Sequence, residues 1–211
     1  MVDDIWNGAD VNINRILDKI FRLSNYISQD MLEPIGYLLW GLIAGCIFLL
    51  LWEIWHKGIL CRGRAVGRFR KWILFLSVVY VTVLLIQAFF SREPGSRTEV
   101  DLKLFSTWGD SMMDHAYFIE NIIMFLPFGL LFPIGFRFLR KASNCIIAGF
   151  LCSVCLELMQ LVTGRGYCQL DDVVTNTLGA AIGWMIYRIG VVFISKSSFF
   201  IKIETANINN K

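Results

Sequence analysis

Apolar residues are distributed along this chain in two distinct patterns. Between residues 11 and 31, Ile13, Ile16, Leu17, Ile20, Leu23, Ile27 and Met31 recur at helical spacing, while Asn14, Arg15, Asp18, Lys19 and Arg22 take the other side. This periodicity predicts an amphipathic helix, lying on a membrane surface or packed on a partner or on the protein's own loops. Pro34 marks a break after it. Beyond that point the apolar residues form continuous runs. Five runs, at 35–55, 72–90, 117–136, 145–162 and 173–195, approach the roughly 20 mainly apolar residues that a bilayer crossing requires. The expected fold is an all-α integral membrane protein of about five transmembrane helices preceded by the amphipathic helix. Residues 1–34 form an N-terminal segment, 35–195 the bundle and 196–211 a tail.

Composition supports a membrane bundle. The 211 residues are 56% hydrophobic and 18% charged, with a mean hydropathy of +0.58; a soluble domain carries roughly 45–50% apolar and about 25% charged residues. The net charge of +3 is small, and the Lys and Arg residues cluster between apolar runs, so no nucleic-acid surface is expected. Their placement speaks to orientation instead. Lys57, Arg62, Arg64, Arg68, Arg70 and Lys71 lie between the first two runs, and Arg137, Arg140 and Lys141 follow the third. The positive-inside rule puts both segments in the cytoplasm, giving N-terminus out and C-terminus in. The N-terminal segment, with six acidic residues against three basic ones, suits the outside. Its start lacks a basic region and an early apolar run, so a cleaved signal peptide is not expected.

Several polar residues interrupt the runs. Glu157 and Gln160 lie in the fourth, Arg165, Asp171 and Asp172 in the turn after it, and Asn176 just inside the fifth; Glu120 and Asn121 lie early in the third. Ionisable groups at membrane depth usually face a bundle interior or a watery cavity, which makes each a candidate functional residue. Glu157, Gln160 and Gly164 share one helical stripe, and Asp172, Asn176, Gly179 and Gly183 another. With the topology above, all these residues gather at the outer ends of three spans. At about 1.5 Å rise per residue, Glu157 lies roughly 10 Å from the turn at Gly164, so the cluster describes a pocket in the outer leaflet. Arg165 could pair with Glu157 and fix the turn. Kept from cations, Glu157 would serve as a proton donor or base, or the cluster could bind a ligand without turnover. One of Asp171 and Asp172 could cap the last helix. The two glycines invite close approach of a neighbouring helix, expected to be the fourth span. Pro127 removes a backbone bond to the Ile123 carbonyl, so a kink and a free acceptor are expected near the pocket floor.

Other chemistries lack support. Asp114 and His115 are adjacent, but no His-x-x-x-His or tight Asp-x-Asp spacing accompanies them, and no metal is expected. Cys152 and Cys155 lack polar companions and read as packing residues. Nucleophile elbows, phosphate-cradling loops and dinucleotide fingerprints are missing, and no cofactor is expected.

Taken in order, Asn121 through Gly129 (NIIMFLPFG), Glu157-x-x-Gln160, Arg165, Asp171-Asp172 and Asn176-Thr177-x-Gly179 resemble the VanZ-like membrane proteins, over about residues 97–190. Gln169 stands where many members carry an acid, and Val100 to Phe105 match a family pattern only at Leu102 and Phe105. The resemblance implies a multi-pass protein of the bacterial cell membrane with a role at the envelope, lowering susceptibility to a lipoglycopeptide of the teicoplanin type. Its partners would be membrane lipids and a lipid-linked envelope precursor or the lipoglycopeptide itself. Three mechanisms follow. An enzyme would use Glu157, Asp172 or Asp171 as acid or base, with Asn121, Gln160, Arg165, Asn176 and Glu120 binding substrate. A binding protein would hold or shield an envelope ligand. A transporter would need a polar path across the membrane, whereas these polar residues stop in one half and no inverted repeat is apparent.

Overall fold

The computed structural model describes residues 2–58, 68–91, 95, 100–105, 108 and 111–209, with side chains described within 13–55 and 68–195. Lys57, Arg62 and Arg64 of the expected basic loop, and Arg97, therefore lie outside the described side chains. The order is α1 (Val2–Asp30), α2 (Leu32–Gly36), α3 (Leu38–Gly58), α4 (Arg68–Leu85), a π-helical turn (Ile86–Phe90), β1 (Val100–Asp101), α5 (Met112–Gly135), a 3-10 turn (Arg137–Arg140), α6 (Ala142–Thr163), β2 (Cys168–Gln169) and α7 (Leu170–Asn209). Five helical stretches are long and apolar enough to cross a membrane: Ile13–Trp55, Arg68–Phe90, Met112–Gly135, Ala142–Thr163 and Leu170–Ser195. They coincide with the five predicted runs, although the first joins the amphipathic segment to its span and α7 continues past it to Asn209.

The helix ends follow from local chemistry. Ser111 caps α5 by accepting from the Asp114 amide at 3.1 Å, and the Asp114 carboxylate accepts from the Ser111 amide at 3.3 Å, a reciprocal capping box. Gly164 stops α6 in the left-handed region at φ 63°, where a side chain would be strained. The Arg165 amide then donates to the Gln160 carbonyl at 2.9 Å and the Gly164 amide to that of Leu161 at 3.1 Å, satisfying the last carbonyls of α6. α4 ends differently. The five residues that follow it widen into a π turn, closed by the Ser91 amide on the Ile86 carbonyl at 3.0 Å. Such turns are rare and concentrate at functional sites.

α5 and α7 form the most extensive helix pair. A Cβ on Gly129 of α5 would lie 2.0 Å from the Ala180 carbonyl oxygen, and one on Gly179 or Gly183 of α7 would lie 2.2 Å from the carbonyls of Ile122 or Leu126. The backbones therefore touch. This corrects the expected partner of the glycine stripe, which packs on the third span and not the fourth. The reason is complementarity: Gly129 offers α7 a matching bare position. α6 meets α7 on the adjacent face, where a Cβ on Gly149 would approach the Ala180 Cβ at 2.6 Å. Phe125, Cys145 and Ala180 are fully buried in the core, with Leu84, Ala88, Phe89, Phe128 and Leu156 around them. Phe125, Phe128, Phe132 and Phe136 run along α5 with centroids 4.5–6.0 Å apart.

α5 remains helical through Pro127 and Pro133. The acceptor reached from another helix near Pro127 is the Met124 carbonyl, one residue beyond the expected Ile123, taken by the Tyr80 hydroxyl at 3.0 Å. Elsewhere, Lys71 and Glu53 form an ion pair linking α4 to α3. Along α1, Ile13, Ile16, Leu17, Ile20 and Phe21 stay more than half exposed, an apolar surface suited to an interface, while the helix also contacts α5. The spans likewise expose Leu50, Ile54, Phe90, Val162 and Phe193, as lipid-facing surfaces do.

Candidate functional site

At the end of the bundle where α5 begins, α6 ends and α7 begins, four helices enclose a cavity of about 30 Å³. Gln87 and Ala88 of the π turn, Asn121 and Met124 of α5, Leu156, Glu157 and Gln160 of α6, and Asp172 and Asn176 of α7 line it. Sequence spacing had singled out five of these: Asn121, Glu157, Gln160, Asp172 and Asn176. The cavity's volume has room for about one or two water molecules.

The polar walls are joined by hydrogen bonds between helices. Asn121 Nδ2 donates to Asp172 Oδ1 at 2.8 Å, linking α5 to α7. Asn176 Nδ2 donates to Ser153 Oγ at 2.9 Å, linking α7 to α6. Gln160 Nε2 donates to the Ala88 carbonyl at 3.1 Å, linking α6 to the π turn. Glu157 is 3% exposed and accepts from the Gln169 amide at 3.0 Å, which brings the α6–α7 turn over the cavity. β1 pairs in parallel with β2 through Val100 with Cys168 and Asp101 with Gln169, tying the segment before α5 to the same turn.

The other candidates occupy the surroundings. Arg165 donates to the Phe89 carbonyl and holds its guanidinium 5.8 Å from the Phe90 ring centre, so it grips the π turn from outside the cavity. Asp171, 2% exposed, is also outside. Its carboxylate accepts from the Phe105 amide at 2.6 Å, where Phe105 has a positive φ of 61°. It thus fixes a conformation unusual for a bulky residue. Glu120 is half-buried on α5, and its Oε1 is buried with no hydrogen-bond partner. His115 lies against the Trp108 ring at 4.3 Å, and Asp114 serves the cap. Among the described residues no cluster of three or more His, Cys, Asp or Glu is placed to hold a metal.

Sequence reasoning missed Gln87 and the π turn. Gln87 carries the same signal that marked Asn121, a carboxamide inside an apolar run. The π turn carries no comparable sequence signal, and it directs the Ala88 and Phe89 carbonyls toward Gln160 and Arg165.

Cys168 reports on the site's charge. Burial pushes its thiol pKa above the ordinary value, and the nearby Glu157 and Asp172 carboxylates push it further in the same direction. The thiolate is the disfavoured form. Iodoacetamide should therefore modify Cys168 more slowly than a free thiol at neutral pH, with the rate climbing as pH rises. Glu157→Gln should move that profile toward lower pH. Mass spectrometry resolves the alkylation site by site, and an unchanged profile in the variant would place the Glu157 charge out of reach of Cys168.

These features define a multi-pass helical membrane protein with a small polar cavity closed between four helices. The VanZ/LLP1 family model matches residues 69–193, more than half of the chain, and the chain belongs to that family. A curated relative, Protein VanZ of Enterococcus faecium, is 35% identical over 72 residues, which cover 33% of this chain and 42% of that protein. The chain thus spans under half the length of the relative it matches. No solved structure matches.

Proposed function

We propose that this chain acts at the bacterial cell envelope, lowering susceptibility to lipoglycopeptides of the teicoplanin type by receiving part of a lipid-anchored envelope molecule at the cavity. In this reading the N-terminus is outside and the cavity opens toward the outer leaflet, an orientation supported by the basic residues Arg137, Arg140 and Lys141 at the far end of α5. The observation that carries it is the convergence of Glu157, Gln160, Asn121, Asp172 and Asn176 from three helices onto one cavity. Carboxylates and amides buried together at membrane depth exceed what packing needs. Glu157 and Asp172 supply acceptors for an incoming proton donor, and Arg165 lies one shell away for an anionic headgroup.

A second reading, binding or shielding without turnover, is favoured by the state of the carboxylates. Glu157 and Asp172 each already accept a hydrogen bond from a neighbour, and about 30 Å³ holds no headgroup until the helices part. One experiment tests the site and separates the readings. A sensitive host expresses wild type, Glu157→Gln or Asp172→Asn at matched, folded levels, and its susceptibility to teicoplanin and to a non-lipidated glycopeptide is measured. Wild type should protect selectively against the lipidated drug. Complete loss in both variants supports chemistry at the carboxylates, and partial loss that follows ligand affinity supports shielding. Equal protection by all three proteins would make the cluster structural, and no protection by wild type would remove the resistance role.

A further inference from the structure

The cavity holds more acceptors than its own walls satisfy. Gln87 Oε1, Gln160 Oε1 and Asn176 Oδ1 are each buried without a hydrogen-bond partner, and all three residues line it. Gln160 and Asn176 are only 5% and 3% exposed. The Gln160 amide orientation is fixed by what its nitrogen faces, and that of Gln87 is favoured by a longer contact. Gln160 turns its nitrogen to the Ala88 carbonyl at 3.1 Å, and Gln87 turns its nitrogen to the Glu33 carboxylate at 3.5 Å. Turning either amide over would set oxygen against an acceptor that has no proton to give. Asn176 Nδ2 is engaged by the Ser153 hydroxyl, which accepts it.

Buried acceptors left bare oppose folding, so an occupant is expected. A cavity of this volume has room for about one or two waters, which meet the amide oxygens but carry no charge to set against the two carboxylates that line it. A cation has no such limit. Calcium takes about six to eight oxygen ligands, drawn from carboxylates, amide carbonyls and water. The Glu157 and Asp172 carboxylates line the same cavity, so five oxygen-bearing side chains from the π turn, α6 and α7 surround it. The space of about 30 Å³ admits a largely dehydrated ion. Magnesium, which keeps several waters, fits it poorly.

We propose that the cavity binds one divalent cation of calcium's class through the amide oxygens of Gln87, Gln160 and Asn176 and the carboxylates of Glu157 and Asp172. Three of the five ligands are amide oxygens, so the site differs from one built on His, Cys, Asp and Glu alone. Bound there, the ion cross-links the π turn to α6 and α7, and it deepens the site reading above by adding a charge that an anionic headgroup would meet.

The test uses the full-length protein purified in detergent and stripped with EGTA. Equilibrium dialysis with radioactive calcium should show saturable binding at one ion per chain. Calcium chloride should raise the unfolding temperature, while matched magnesium chloride and sodium chloride should not. Gln87→Met removes one ligand at the half-buried edge and should weaken calcium binding about tenfold or more. In EGTA this variant should unfold no earlier than wild type, which shows that its loss is one of binding and not of folding. Absence of saturable binding by wild type overturns the proposal. So does an equal effect of sodium or magnesium, or calcium affinity unchanged in both Gln87→Met and Glu157→Gln. No antibiotic enters these measurements, so their failure and the failure of the resistance reading are separate results.

Discussion

Gly129→Ala should leave little folded protein. The added methyl would stand 2.0 Å from the Ala180 carbonyl oxygen and 2.6 Å from the Trp184 amide nitrogen, and neither backbone atom can swing aside as a side chain would. α5 and α7 must therefore separate along the most extensive helix contact of the bundle. Overpacking a core typically costs about 1–3 kcal/mol when side chains give way. Here backbone must move, and the expected loss lies at or above about 3 kcal/mol. Gly179→Ala and Gly183→Ala, each with a Cβ at 2.2 Å from a carbonyl oxygen, should behave similarly. Gly190→Ala is the control, because a Cβ there meets nothing within 4 Å. It should be neutral or stabilising by up to about 1 kcal/mol, as expected for replacing glycine inside a helix. Thermal unfolding followed by size-exclusion chromatography in detergent reads all four. A Gly129→Ala protein that melts with wild type would mean that α5 and α7 do not meet as described.

Asn121→Leu should show the second large effect, on both stability and the site. Asn121 Nδ2 donates to Asp172 Oδ1 at 2.8 Å and is the bond by which α5 orients the carboxylate of α7. Hydrogen bonds between membrane helices average about 0.6 kcal/mol and reach about 1.7, while bonds to charged groups run at about 1.5–3 kcal/mol. A charge-assisted pair at the cavity wall belongs near the top of the first range, at about 1.5 kcal/mol. Asp172 makes further contacts, so a single substitution does not isolate the bond. A double-mutant cycle with Asp172→Leu does, and a coupling near zero would deny Asn121 its orienting role.

The helices were legible because lipid permits few alternatives to a continuous apolar run: four of the five predicted runs lie within the long apolar helices, and the third, 117–136, overruns its helix by one residue. The cavity walls were legible for the same reason, since Glu157, Gln160, Asn121, Asp172 and Asn176 stand out against apolar neighbours. What remained hidden depends on partners distant in the chain. The stripe of Gly179 and Gly183 announces a close approach without saying by which helix, and only the bare position at Gly129 selects α5. Asp171 reads as a cap from its place before a helix, yet its carboxylate accepts from the amide of Phe105, 66 residues earlier. Arg165 donates to the backbone carbonyl of Phe89 in the π turn, a contact that no side-chain pattern encodes.

The π turn also bears on the order of events during synthesis. Its Ala88 and Phe89 carbonyls accept from Gln160 and Arg165, which follow them in the chain by 72 and 76 residues. A ribosome adding roughly 5–20 residues per second delivers those donors about 4–15 s after the carbonyls emerge. For that interval the two carbonyls lack the Gln160 and Arg165 donors, and water at the membrane surface is a solvent able to serve them. The contacts that tie the π turn to the cavity can therefore form only once α6 and the α6–α7 turn have been made.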